Sequence, residues 1–103
     1  MAKSSHSIRD AEVRRVLAER GDDGQLPRHT LFYFYGGRID ELRDAAVGAG
    51  YKVSPTAAQD GLVLETTIPV DAESFEAQSQ RMQAWGDEFD SDYDGWECEV
   101  VNQ

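Results

Sequence analysis

The chain reads as an α+β domain of the ferredoxin-like kind: a βαββαβ antiparallel sheet with two helices on one face, preceded by an N-terminal helix. Three observations predict this. The spacing of apolar residues alternates between helical and strand periods in the order α, β, α, β, β, α, β. The most apolar strand segment, Leu31-Phe32-Tyr33-Phe34-Tyr35, is the first strand, which the usual 4-1-3-2 order places in the middle of the sheet. Pro55 falls in the second strand and Glu97 and Glu99 in the fourth, and that order makes both of these edges. A missing donor is tolerated on an edge, and charge there discourages unwanted pairing.

The elements follow in turn. Ile8 to Arg20 forms a helix with Val13, Val16 and Leu17 on one side and Arg9, Arg14 and Arg15 on the other, ended by Gly21. Asp22 to Arg28 is a polar connector with turn chemistry. Thr30 to Tyr35 is a strand whose side chains are large on both faces, so a cover is expected on each side. Ile39, Leu42, Ala45, Ala46 and Ala49 recur at helical spacing up to Gly50. Tyr51 to Thr56 suits a half-exposed edge strand, and Leu62, Leu64 and Ile68 line one face of a third strand after the Asp60-Gly61 turn. Asp71 is a fitting N-cap for a long helix, striped by Phe75, Met82, Trp85 and Phe89, that runs to about Ser91. Trp96, Cys98 and Val100 alternate with Glu97 and Glu99 in a final strand.

A length of 103 residues supports one core, so residues 1–103 are expected to be a single domain, with 1–7 expected to be disordered. The single cysteine, Cys98, excludes an internal disulfide and a cysteine-based zinc site, and reads as a buried thiol. The first residues lack the apolar core of a signal peptide, and no apolar run approaches the roughly 20 residues of a membrane span. A cytoplasmic location is therefore expected.

Charge is the most uneven property. No residue after Arg81 is basic, while Asp87, Glu88, Asp90, Asp92, Asp94, Glu97 and Glu99 supply seven of the formal net charge of −10. Such a chain repels phosphates and attracts basic protein segments, which excludes direct nucleic acid binding and favours a protein partner. The seven acids are the candidate partner-binding patch, although a merely solvated surface is the competing reading.

Catalytic and metal signatures are weak. Asp90-Ser91-Asp92-Tyr93-Asp94-Gly95 matches the opening of an EF-hand loop, but the ninth and twelfth positions are Cys98 and Val101, and a strand follows where a helix should. His6 and His29 have no partner at recognisable spacing, and no nucleophile elbow or phosphate-binding glycine loop is present. The aromatic strand would suit an RNA-recognition motif only with aromatics on the third strand, where Leu62-Val63-Leu64-Glu65 stands instead. No enzyme activity, cofactor or metal is expected.

Several segments, taken together, resemble the regulator of ribonuclease E activity B (RraB) family. They are Gly21-Asp22-Asp23 with Pro27-Arg28 before the aromatic strand, Gly50-Tyr51-Lys52-Val53, Glu76-Ala77-Gln78 with Met82, Glu88-Phe89-Asp90, and Tyr93-Asp94-Gly95-Trp96. The resemblance implies a non-enzymatic protein that binds ribonuclease E, commonly outside its catalytic part, and restrains RNA cleavage. Arginine-rich segments of such an endonuclease would be a suitable target for the acidic patch. Members of the best-known group carry a long acidic tail after the last strand, whereas this sequence stops at Gln103; weaker binding, or another target, is expected if that tail supplies affinity. Asp22, Asp23, Pro27, Arg28, Tyr93, Gly95 and Trp96 are expected to act structurally: Asp22 or Asp23 pairing with Arg28, and Asp94-Gly95 shaping a turn that seats Trp96. The alternative is an acidic, immunity-like interaction module that neutralises a different basic partner.

Overall fold

Alternation along the aromatic segment organises the computed structural model, which describes residues 5–56, 60–99 and 101. The elements are α1 (Ser5–Glu19), β1 (Arg28–Tyr35), α2 (Ile39–Gly48), β2 (Lys52–Pro55), β3 (Gly61–Ile68), α3 (Ala72–Glu88) and β4 (Asp92–Cys98). The four strands form one antiparallel sheet in the order β2-β3-β1-β4. With three helices, this α+β architecture is compatible with the ferredoxin-like arrangement expected from the sequence. Pro55 lies on an edge strand, as a residue without an N–H donor should. The helix α1 begins at Ser5, inside the span expected to be disordered; residues 1–4 and Val100 lie outside the described residues.

Phe32 and Phe34 point to one face of β1 and are fully buried. Across the sheet they meet Leu64 and Leu62 on β3 and Trp96 and Tyr93 on β4. Leu42 and Ala46 from α2, Phe75 and Met82 from α3 and Leu17 from α1 pack into the same cluster. Its centre is aromatic: Phe32 stacks on Phe75 with centroids 5.8 Å apart, Phe34 on Tyr93 at 5.1 Å, and Phe75 meets Trp96 at 4.3 Å. Geometries of this kind add to plain burial.

The expectation that β1 is covered on both faces is not met. Leu31, Tyr33 and Tyr35 face the other side and stay half-exposed, because all three helices contribute to the core on the Phe32 side. Tyrosine suits such a site, since its ring buries against neighbours while its hydroxyl meets water.

The end of the chain departs from expectation in another way. Here α3 closes at Glu88, and β4 begins as early as Asp92. Tyr93 and Trp96, three residues apart, both face the core, which a regular strand forbids. A bulge resolves the conflict: Tyr33 is opposite Gly95 and Phe34 opposite Tyr93, leaving Asp94 as the extra residue. Gly95 takes φ +112°, a conformation suited to glycine. The Asp94-Gly95 pair therefore acts through a bulge within the strand rather than a turn before it.

Between α3 and β4 the chain turns through a Schellman motif. Ser91 N–H donates to the Gly86 carbonyl at 2.9 Å and Asp90 N–H to that of Asp87 at 3.4 Å, with Asp90 in the left-handed region at φ +55°. At the other end, Asp71 caps α3 as expected, accepting from Ser74 N–H at 3.2 Å.

The strongest polar anchor is the Asp22–Arg28 ion pair, whose side chains are both fully buried. Arg28 donates to both Asp22 oxygens, one at 2.9 Å, and also to the carbonyls of Leu26 at 3.0 Å and Glu99 at 3.2 Å. Asp22 in turn accepts from Gly24 N–H at 2.9 Å and Val101 N–H at 2.7 Å. The pair thus fastens the connector, the start of β1 and the chain beyond β4 at one point. Asp23 takes a lesser role, accepting from Gln25 N–H at 3.0 Å. Pro27 is exposed beside this anchor.

Bonding to Arg28, opposed by burial, holds the Asp22 carboxyl well below the usual carboxylate range. A depressed carboxyl stabilises the fold fully above the unfolded value of about 4, and that contribution is lost as pH falls further. Asp22→Asn should cost about 3–5 kcal/mol in urea unfolding at pH 7, because Arg28 would keep a buried charge without its counter-ion. The variant should also lose less stability than the parent as pH drops from about 4 towards 2. Trp96→Ala should cost about 3–5 kcal/mol by the same measurement, as removal of a large core ring.

Candidate acidic interface on the fourth strand and the third helix

The seven candidate acids separate into three structural settings, and all seven are exposed. Asp87 and Glu88 occupy the last turn of α3, where the partial negative charge of the helix end disfavours them. Asp90 is the left-handed residue of the following turn. Asp92, Asp94 and Glu97 lie on β4, and Glu99 follows it. Three of the seven therefore belong to an edge strand, and the other four to the helix end, the turn and the residue just past β4. The EF-hand-like run is likewise divided between a helix cap and a paired strand, so it does not form a loop around an ion. Among the described residues, no group of three or more His, Cys, Asp or Glu is placed to hold a metal.

Neutralisation by the basic face of α1 would remove the patch. Arg14 instead donates to the Val70 carbonyl at 2.9 Å and lies over the Phe75 ring. Arg15 pairs with Glu19 at 3.0 Å, and the Arg9 side chain lies outside the described residues. Arg38 donates to the Glu88 backbone carbonyl, but its ion pair is with Glu41 at 2.8 Å. Among the described residues, Asp87, Glu88, Asp90 and Asp92 enter no ion pair. Among the described residues, these four carboxylates are therefore exposed and have no ion-paired cation.

The patch continues onto the uncovered face of the sheet. There Tyr33 donates its hydroxyl to Glu97. Burial, then the bond to Glu97, pushes the Tyr33 phenol up to about 12, so it remains a donor at any ordinary pH. The Glu99 carboxylate accepts from His29 N–H at 3.1 Å. On β3, Glu65 lies 2.8 Å from the His29 ring and 3.1 Å from the Ser54 hydroxyl. These two neighbours, His29 first, hold the Glu65 carboxyl below its ordinary value. Sequence reasoning did not join Tyr33 or Glu65 to the patch; the signal for Tyr33 was its shared parity with Leu31 and Tyr35, whereas Glu65 joins them through its register opposite Leu31.

The family-motif residues form the frame of the patch. Asp22 and Arg28 hold the end of β4 to the start of β1, while Tyr93, Gly95 and Trp96 set its bulge. Cys98 is half-buried rather than fully enclosed, and burial pushes its thiol up from the ordinary value.

Away from the patch, a cleft of about 310 Å³ lies between the start of α2 and the β2–β3 hairpin, lined by Ile39, Arg43, Val53, Pro55 and Leu62 among others. Arg43 there is paired with Asp40 at 2.9 Å. No helix among the described residues is long and apolar enough to cross a membrane.

A search of curated proteins finds no match to this chain. The family model described as "Regulator of ribonuclease activity B" matches residues 7–98, from early in α1 to the last residue of β4. The motif residues Asp22, Arg28, Tyr93, Gly95 and Trp96 all lie within that match, as the two points that hold the sheet edge in place. This chain belongs to the RraB family, the regulators of ribonuclease activity.

Proposed function

We propose that this protein is a non-enzymatic regulator that binds ribonuclease E, or a similar RNA-processing endonuclease, and inhibits RNA cleavage through its acidic surface. Family membership supports regulation of a ribonuclease. The observation that carries the acidic-surface reading is the group formed by Asp87, Glu88, Asp90 and Asp92, exposed and without ion pairs among the described residues. Placing like charges at a helix C-terminus costs about 0.3–1 kcal/mol each, so this arrangement is not one that folding stability favours. A cationic segment of an endonuclease would neutralise the patch, and the patch would compete with RNA for that segment's basic residues. Such a mode of action needs no cofactor, no metal and no reacting group.

Binding of this kind depends steeply on salt, because exposed charges are screened beyond about 8 Å at physiological ionic strength. The test is titration of purified ribonuclease E with the parent protein and with Asp87→Lys, Asp92→Lys and Asp90→Asn variants. Asparagine is chosen at position 90 because it tolerates the left-handed backbone that lysine would strain. The combined variant should bind at least about tenfold more weakly, from the loss of several favourable charge contacts. Unfolding midpoints should stay close to the parent value, since surface substitutions usually change stability by within about 0.5 kcal/mol. Unchanged affinity in the combined variant would remove the acidic surface from the mechanism.

A further inference from the structure

We propose that the uncovered face of the sheet is itself the docking surface, and that it takes an extended, arginine-bearing segment of the partner protein laid along β1. This rests on the reading above that the partner is a cationic protein. Leu31, Tyr33, Tyr35 and Val63 form a half-exposed apolar strip on the two central strands. Among the described residues, every helix contributes its buried side chains to the opposite face. The strip is bordered by acid: Asp92 is opposite Tyr35 and Glu97 opposite Leu31 on β4. An aromatic strip lined by carboxylates matches the chemistry of arginine, which stacks on rings through its planar face and bonds carboxylates through its edge. Lysine offers a compact, strongly hydrated charge and stacks less well.

Spacing agrees with an extended occupant. Tyr33 and Tyr35 are two residues apart on one strand, hence about 7 Å apart, and alternate side chains of an extended peptide repeat at the same interval. Gly95 opposite Tyr33 places no side chain beside that ring. A second copy of this chain is a poor occupant, since each carries a formal net charge of −10. RNA is poorer still, because its phosphates would meet Asp92, Glu97 and Glu65.

Titration calorimetry with oligoarginine and oligolysine peptides of equal length tests this surface. The parent protein should bind oligoarginine about fivefold more tightly, a ratio consistent with ring stacking at a partly exposed site. Tyr35→Ala should remove most of that ratio and Tyr35→Phe should keep it, with circular dichroism checking the fold. Equal binding of the two peptides by the parent, or a Tyr35→Ala ratio matching the parent's, overturns the proposal. So does sedimentation showing a dimer whose formation Tyr35→Ala abolishes. Ribonuclease E separates this surface from its partner. If oligoarginine binds as expected while the endonuclease does not, the surface stands and the partner assignment falls. If the endonuclease binds the parent and Tyr35→Ala equally well, the reverse holds.

Discussion

The buried ion pair between Asp22 and Arg28 is the constraint on which the sheet edge depends. A buried pair of this kind is weak evidence for net stability, because desolvation of both ions offsets much of their attraction. Its value here is positional. Arg28 starts β1 and donates to the Glu99 carbonyl just past β4, while Asp22 accepts from Val101 N–H. The last strand is therefore held at its C-terminal end by a residue that precedes β1, in addition to its ladder with β1. With that end fixed and the α3 cap fixed at Ser91, whose hydroxyl donates to the Tyr35 carbonyl at 3.2 Å, the register of β4 has little freedom. The bulge at Asp94 is what lets both ends be satisfied while Tyr93 and Trp96 remain in the core.

How much of this was legible in the sequence depends on whether a residue's neighbours or its partners decide its place. The strand at Leu31 to Tyr35, the N-cap at Asp71 and the edge position of Pro55 follow from local chemistry, and each is found where expected. Pairing of Arg28 with an aspartate of the connector could be expected from proximity, but the choice of Asp22 over Asp23 follows the burial of Asp22 and its bond from Val101 N–H. The bulge was not legible, because hydrophobic alternation in Tyr93-Asp94-Gly95-Trp96 fails within a regular strand and so suggested a turn. Nor was the open face of β1. Leu31 and the two tyrosines are as apolar as a covered face requires, and only the placement of the helices leaves them partly in water. Among the candidate acids, composition revealed their excess, whereas their division between helix end, turn and strand is a product of the fold.

Two explanations compete for the acids, and their positions weigh differently on each. Charges on an edge strand protect it from pairing with another sheet, which accounts for Asp92, Asp94 and Glu97 without any partner. That explanation does not reach Asp87 and Glu88, which lie on a helix and oppose its dipole. Asp90 is also poorly served by local stability, since glycine is the residue that a left-handed helix cap favours. Edge protection needs charge on the strand alone; a surface that recruits a cationic protein needs it wherever the partner passes. The placement of carboxylates from the end of α3 along β4, beside an aromatic strip that no helix covers among the described residues, fits the second requirement better than the first.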